Sequence, residues 1–172
     1  MVKLGQTRNG LFYNIMNLGG NMQIIDIKNN DKYLDEYIEL CSLEWGSPKT
    51  NEQMKLYVEN KKEKIHMEDK VISILGLIEN DVMIGFISLF KYDCDEKKDL
   101  TPWYATIYVK KEYRGQGYSK LLNDAILNEA TILGYNMVYL KTNLVNYYEK
   151  FGAKYIEMLN SEERLYYFDL VK

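Results

Sequence analysis

A chain of 172 residues, 47% hydrophobic and 27% charged with a net charge of −3, is long enough for one domain with a real core and unsuited to wholesale nucleic-acid binding. No apolar run reaches the ~18 residues of a membrane span, and the start lacks the apolar stretch and cleavage site of a secretory signal, so a cytoplasmic protein is expected. A single histidine, His66, with Cys41 and Cys94 as the two cysteines, leaves too few ligands for a His-based zinc site and too few thiols for a disulfide framework, and a Ser-His-Asp triad is not expected; no metal is expected.

Residues 1–21 show neither clean periodicity nor clean turn chemistry. The run LGGN, from Leu18 to Asn21, can be encoded by a sequence containing a ribosome-binding site. Residues 1–21 are therefore expected to be an extension, either a translated leader ahead of a natural start at Met22 or a genuine N-terminal arm. Residues 22–172 form the single domain. Met22 opens a strand through Ile27. Asn30 or Asp31 can cap a helix whose apolar positions are Tyr33, Leu34, Tyr37, Ile38 and Cys41, and Gly46 and Pro48 end it. Thr50 and Gln53 read as a capping box for a second helix running to about Lys64.

Val71–Leu77 and Val82–Phe90 are β-rich runs joined by Glu79-Asn-Asp81, a hairpin pattern. An acidic loop, Lys91–Leu100, precedes a strand at Trp103–Val109. Leu121, Leu122, Ala125, Ile126, Ala130 and Leu133 mark one face of a helix closed by Gly134. A strand at Met137–Lys141, a short helix at Asn143–Phe151 ended by Gly152, and strands near Lys154–Glu157 and Arg164–Leu170 complete an α/β mixture around one sheet.

The stretch VKKEYRGQGYSK, Val109 to Lys120, places two glycines and several cations between a strand and a helix. Such a turn leaves backbone N–H groups free at a positive helix end, an anion site. Gly115 and Gly117 permit close approach and positive φ, while Lys110, Lys111, Arg114 and Lys120 add charge. The P-loop spacing GxxxxGK[ST] is missing, and so is the third glycine of GxGxxG.

VKKEYRGQGYSKLL, followed after a strand by YYEKFGA, resembles the GNAT superfamily of N-acetyltransferases. The resemblance covers about residues 22–170, with Ser119 where Gly or Ala is usual and Ala153 replacing the usual aromatic. It implies a GNAT-like mixed, mostly antiparallel central sheet flanked by helices and splayed to hold acetyl-CoA. By that resemblance, backbone groups of Ile107 and Val109 pair with the pantetheine arm like an added strand, and Tyr108 between them is also cofactor-binding. The Val109 amide polarises the thioester carbonyl. The amides of Arg114, Gly115, Gln116, Gly117, Tyr118 and Ser119 cradle the pyrophosphate, with Lys110, Lys111 and Lys120 on the rim. Asn143 makes an amide contact to the arm, and Tyr148, also cofactor-binding, protonates the departing sulfur.

The strand at Trp103–Val109 carries no carboxylate, so the general base stays open among Tyr104, Tyr108, Glu44 and ordered water. Glu44 and Trp45 lie where the family's first helices line the acceptor site. Asp93, Asp95, Glu96 and Asp99 could attract a cationic amine or be simply solvated, and His66 reads as a surface residue. The implied activity is transfer of acetyl from acetyl-CoA to a primary amine of a small molecule, directly in a ternary complex, by a monomer or homodimer. A protein or peptide N-acetyltransferase and a catalytically silent acyl-CoA sensor are the alternatives.

Overall fold

The computed structural model of the protein describes residues 22–171 in full and, ahead of them, the backbone of two strands. Those strands, β1 (Val2–Thr7) and β2 (Gly10–Ile15), pair antiparallel, and β2 pairs with β3 (Met22–Asp26). The patternless sequence of residues 1–21 thus includes two strands joined to the sheet, and the boundary at Met22 falls between paired neighbours.

From β3 onward the chain alternates strands with three helices. After β3 come α1 (Asp31–Trp45), α2 (Asn51–Met67), β4 (Val71–Glu79), β5 (Val82–Phe90), β6 (Trp103–Val109), α3 (Tyr118–Ile132), β7 (Met137–Thr142), β8 (Lys154–Met158) and β9 (Arg164–Asp169). The spatial order is β1-β2-β3-β4-β5-β6-β7-β9-β8, and every neighbouring pair is antiparallel except β6 with β7.

Local chemistry sets most boundaries. Asn30 is the N-cap of α1, although its side chain makes no capping bond. At α2 the capping box is complete. The Gln53 amide donates to Thr50 Oγ1 at 3.3 Å, and the Thr50 amide donates to Gln53 Oε1 at 2.9 Å. That helix runs past Lys64 to Met67 because no breaker intervenes. Asn80 and Asp81, with φ of 49° and 63°, give the β4–β5 hairpin the two left-handed central residues of a type I′ turn. Gly134 at φ +88° closes α3 in a Schellman motif, the Tyr135 amide reaching Ala130 O and the Gly134 amide Thr131 O.

The centre of the sheet, β4 and β5, is buried on both faces. α3 packs Leu122, Ala125, Ile126 and Ala130 on one face against Leu75, Leu77, Ile84 and Ile87. α1 and α2 cover the other, with Leu34, Tyr37, Ile38, Val58 and Ile65 against Ile74, Ile78, Met83 and Phe86. β4 and β5 therefore read as near-continuous apolar runs, as doubly covered strands must.

The short helix expected over Asn143–Phe151 is not formed. A single 3-10 turn, Glu149–Phe151, stands at its end. Asn146 takes φ 57°, outside the right-handed helical region, which interrupts any continuous helix. Among the described residues no helix is long and apolar enough to cross a membrane.

Candidate active site

Two irregularities open the sheet at β6. Ile87 pairs with Ile107 and Leu89 with Tyr104, so Ser88 of β5 faces both Ala105 and Thr106 of β6. This is a β-bulge, which bends a strand and re-aims its side chains. On the other edge, β6 meets β7 through Trp103 and Tyr139. Beyond Trp103 the two strands diverge.

The orientation of the exposed edge is set by the ladder. The Lys110 amide donates to Ile84 O at 2.9 Å, toward β5. Backbone groups alternate sides along a strand, so the amides of Val109 and Ile107 face the open edge. The Val109 carbonyl there is already engaged, accepting from Arg114 Nε at 2.8 Å.

A cleft of about 480 Å³ lies along this edge. Its walls are Ile107, Tyr108 and Val109 from β6, Tyr113 to Gly115 and Gly117 to Ser119 from the turn into α3, Leu144 and Tyr147 from beyond β7, and Glu44 and Trp45 from the end of α1. Tyr108 is fixed by stacking on Phe86 at 5.4 Å, with the Arg114 guanidinium 5.6 Å from its ring.

At the floor of the turn, Gly115 and Gly117 have φ of +80° and +82°, and nothing lies within 4 Å of where a Cβ would stand on either. The glycines are required by backbone conformation, and the space before them is open. Among the described residues, the amides from Gly115 to Ser119 donate to no recorded acceptor, whereas the Lys120 and Leu121 amides bond to Gly117 O and the Arg114 amide to Lys111 O. Unpaired amides at the N-terminus of the 15-residue α3 make a candidate anion site.

The rim cations are less free than their sequence positions suggest. Lys110 pairs with Glu36 at 2.6 Å and Lys120 with Asp124 at 2.6 Å. Gln116 is exposed and its side chain accepts from the Tyr118 hydroxyl at 3.2 Å, holding that buried ring. Asn143 is exposed and lines neither this cleft nor its neighbour; Leu144 takes the position on the cleft wall.

The neighbouring cavity, about 340 Å³, shares Trp45 and Ile107 with the cleft. It is walled by Phe90, Tyr104, Ala105, Thr106 and Tyr148, and its charged groups are Asp93, Glu163 and Lys141. Tyr148 is 8% exposed, with its ring edge-on to Tyr104 at 5.7 Å and to Tyr147 at 5.0 Å. Burial, with a smaller contribution from Tyr147, pushes its phenol up to about 12. The turn carrying Tyr148 is tied to β9 by the Tyr166 hydroxyl, which donates to Glu149 Oε1 at 2.9 Å.

Burial also raises the Asp93 carboxyl, offset by Lys141 and Lys70 and reinforced by Glu163. Of the acidic loop, Asp93 alone lines the cavity; Glu96 instead accepts from the Cys94 thiol, and Lys97 turns to Glu157. Tyr104 is held well above the usual phenol range, chiefly by burial, and its hydroxyl has no hydrogen-bond partner. A neutral phenol of that kind accepts no proton at ordinary pH, so Tyr104 is set aside as a base. Glu44 lies on the cleft side. Asp93 and Glu163 are the cavity's carboxylates, and the sequence pattern marks neither as a base. Glu163 sits between β8 and β9 with no motif around it, and Asp93 is one of four acidic residues in its loop. His66 is exposed at the end of α2, within 3.0 Å of Lys28 O. Among the described residues no three His, Cys, Asp or Glu side chains gather as a metal site.

The fold has many solved counterparts. An N-acetyltransferase from Staphylococcus aureus Mu50 superposes with a TM-score of 0.62 at 18% identity, covering 88% of this chain and 99% of that one. Aminoglycoside 6′-acetyltransferase type Ii gives 0.61 at 17%, covering 87% and 97%. The PaiA N-acetyltransferase from Thermoplasma acidophilum, in complex with coenzyme A, gives 0.58 at 16%, covering 86% and 98%. At these identities the likeness is one of fold. No curated protein sequence matches the chain. The sequence model of the acetyltransferase (GNAT) family matches residues 34–153, well over half of the chain, which therefore belongs to that family.

Proposed function

We propose that this protein transfers the acetyl group of acetyl-CoA to a primary amine of a small molecule, directly and within a ternary complex. The observation that carries the reading is the junction of the two cavities. An open strand edge with an anion-binding turn meets, at Ile107 and Trp45, a cavity containing a protonated phenol and two carboxylates.

The residues fit the cosubstrate. The free amides from Gly115 to Ser119 suit a diphosphate, and the outward amides of Ile107 and Val109 suit an amide-bearing arm laid along β6 as an added strand. Acetyl-CoA supplies an activated acyl carbon and a thiolate leaving group. The chain supplies the rest. Its cleft and cavity align the reactants, converting encounter into an intramolecular problem. The Val109 amide is a fixed donor for the carbonyl oxygen. Tyr148, protonated at all ordinary pH, donates its hydrogen to the departing sulfur. Asp93 and Glu163 attract the ammonium group, which gives up one proton to solvent to become the neutral nucleophile. Asp93 accepts the second proton as the nitrogen bonds to carbon and becomes acidic, and Tyr148 regains its own proton from solvent.

Direct transfer is favoured by the cysteines. Neither lies in the two cavities, and burial pushes the Cys41 thiol up to about 12 and also raises Cys94, so neither is a ready thiolate. The test is acetyl transfer from acetyl-CoA across polyamines, aminoglycosides, amino acids and short peptides, following free thiol and product mass together. Acetylated small amines support the reading. Transfer to peptides alone moves it to a protein acetyltransferase, and tight coenzyme A binding with no transfer favours a sensor.

A further inference from the structure

One cavity takes no part in that scheme. Beneath α1 and α2 lies a groove of about 220 Å³ with an apolar floor that includes Ile65, Val71 and Phe90, and with Lys61, Lys64 and Lys70 set against one carboxylate, Glu68. Phe90 and Thr106 line both this groove and the cavity of Tyr148, so the two are adjoining compartments.

The lysines are placed by the helix. Lys61, Lys64 and Ile65 fall on one face of α2 by helical spacing, and Glu68 is the cap just past its end. Lys62, one residue round, turns instead to α1 and pairs with Asp35 at 2.6 Å and Asp31 at 3.4 Å. Neither Lys61 nor Lys64 has a carboxylate partner among the ion pairs of the described residues. The negative end of α2 by itself accounts for a cation at Lys64. It does not account for Lys61, nearly a turn earlier, or for Lys70, beyond the helix. The groove holds three cations to one anion in a chain of net charge −3. The adjoining cavity holds two carboxylates to one cation and, on its wall, the 3% exposed Tyr104 with its unpartnered hydroxyl.

We propose that the acceptor is dipolar: a primary amine at one end, an anionic oxyacid group (carboxylate or phosphate) at the other, and a hydrocarbon spacer lying across Phe90. The amine enters the cavity of Asp93, Glu163 and Tyr104, and the anion rests among Lys61, Lys64 and Lys70. The amine half rests on the proposed acetyl transfer; the lysine half does not. A compartment of each sign also discriminates against diamines, whose second cation would meet the lysines.

The experiment compares 6-aminohexanoate, 6-aminohexyl phosphate, hexylamine and 1,6-diaminohexane. Calorimetry on the whole chain with coenzyme A bound gives affinity, and acetyl transfer gives kcat/KM. The expected result is roughly tenfold tighter binding of an anionic-tailed amine than of the diamine. That preference should reverse in Lys61→Glu/Lys64→Glu, with Lys61→Gln/Lys64→Gln as the milder pair should the reversal not fold. Lys70 is left intact because it also acts on Asp93. The ratio between the carboxylate and the phosphate identifies the anion.

Equal or tighter binding of the diamine, a preference untouched by the lysine changes, or no binding of either anionic compound at millimolar concentration overturns the proposal. A chain that binds coenzyme A and acetylates the diamine best keeps acetyl transfer and loses the dipolar acceptor. One that prefers 6-aminohexanoate yet transfers nothing keeps the groove and loses acetyl transfer.

Discussion

Trp103 of β6 pairs with Tyr139 of β7, and beyond that pair the two strands part. The anchor is firm: Trp103 is fully buried, its Nε1 donates to Leu100 O at 2.8 Å, and the Tyr139 amide donates to Pro102 O at 2.9 Å. From there to Val109, β6 presents an unpaired edge inside a sheet, a feature that demands a partner. The pantetheine arm of the proposed cosubstrate would be that partner, and substitutions in the turn and beneath the strand probe the surfaces that hold it.

Gly117 lies at φ +82° with open space before it. Gly117→Ala should therefore cost about 1 kcal/mol of stability from left-handed backbone strain, a small fall in Tm. Its Cβ would stand in the proposed diphosphate site, so affinity for coenzyme A should fall by roughly tenfold or more. Calorimetry and thermal melts on the same protein separate the two effects. An affinity loss no larger than the stability loss would make the turn structural only.

Gly85 tests the support beneath the edge. A Cβ there would stand 2.7 Å from the Tyr108 carbonyl oxygen and 3.2 Å from Leu122 Cδ1. The first neighbour is backbone and cannot swing aside. Gly85→Ala should destabilise by about 1–3 kcal/mol and displace β6 relative to α3, raising KM for acetyl-CoA. Denaturant unfolding beside steady-state kinetics checks both; an unchanged midpoint would mean the strand yields without cost.

Much of the fold is legible in the sequence because the relevant signals are local. The capping box at Thr50–Gln53, the hairpin at Asn80–Asp81 and the Gly134 cap are each decided within a few residues, and Trp103–Val109 emerges with its predicted bounds. The two glycines of the turn take the positive φ expected of them for the same reason. The proposed acceptor side is not legible. Asp93, Lys141 and Glu163 come from three separate loops or strand ends and meet only when the sheet is assembled. Nor can spacing show that Lys110 and Lys120 spend their charge on Glu36 and Asp124. The one failed element, a helix at Asn143–Phe151, fails at Asn146, a residue tolerant of the left-handed region.

Tyr148→Phe removes one hydroxyl from a packed ring. Coenzyme A affinity should stay within about twofold while kcat falls roughly 10²-fold, the usual scale of a positioned acid. With its phenol at about 12, the folded-state acid is intact below that value. The wild-type rate should therefore show no alkaline decline attributable to Tyr148 up to about pH 10. Equal turnover in the two proteins would remove the residue from the chemistry, and a decline near pH ~8, well below an ordinary phenol, would assign the acid elsewhere.

Asp93→Asn makes a stability and an activity prediction of opposite sign. Burial raises the Asp93 carboxyl, so the folded chain binds its proton more tightly than the unfolded chain does. The penalty for the charged form is absent below the unfolded carboxylate value, grows as pH rises through the raised folded value, and is full at neutral pH. Neutral Asn escapes it. The variant should melt a few degrees above wild type at about pH 7, with the gap closing near pH ~3, while kcat falls roughly 10²-fold if Asp93 takes the amine proton. Melting curves at the two pH values, set beside saturating-acceptor kinetics, decide it. A lower Tm at neutral pH would mean that Asp93 is held by a stabilising partner, and an unchanged kcat would leave the proton to water or Glu163.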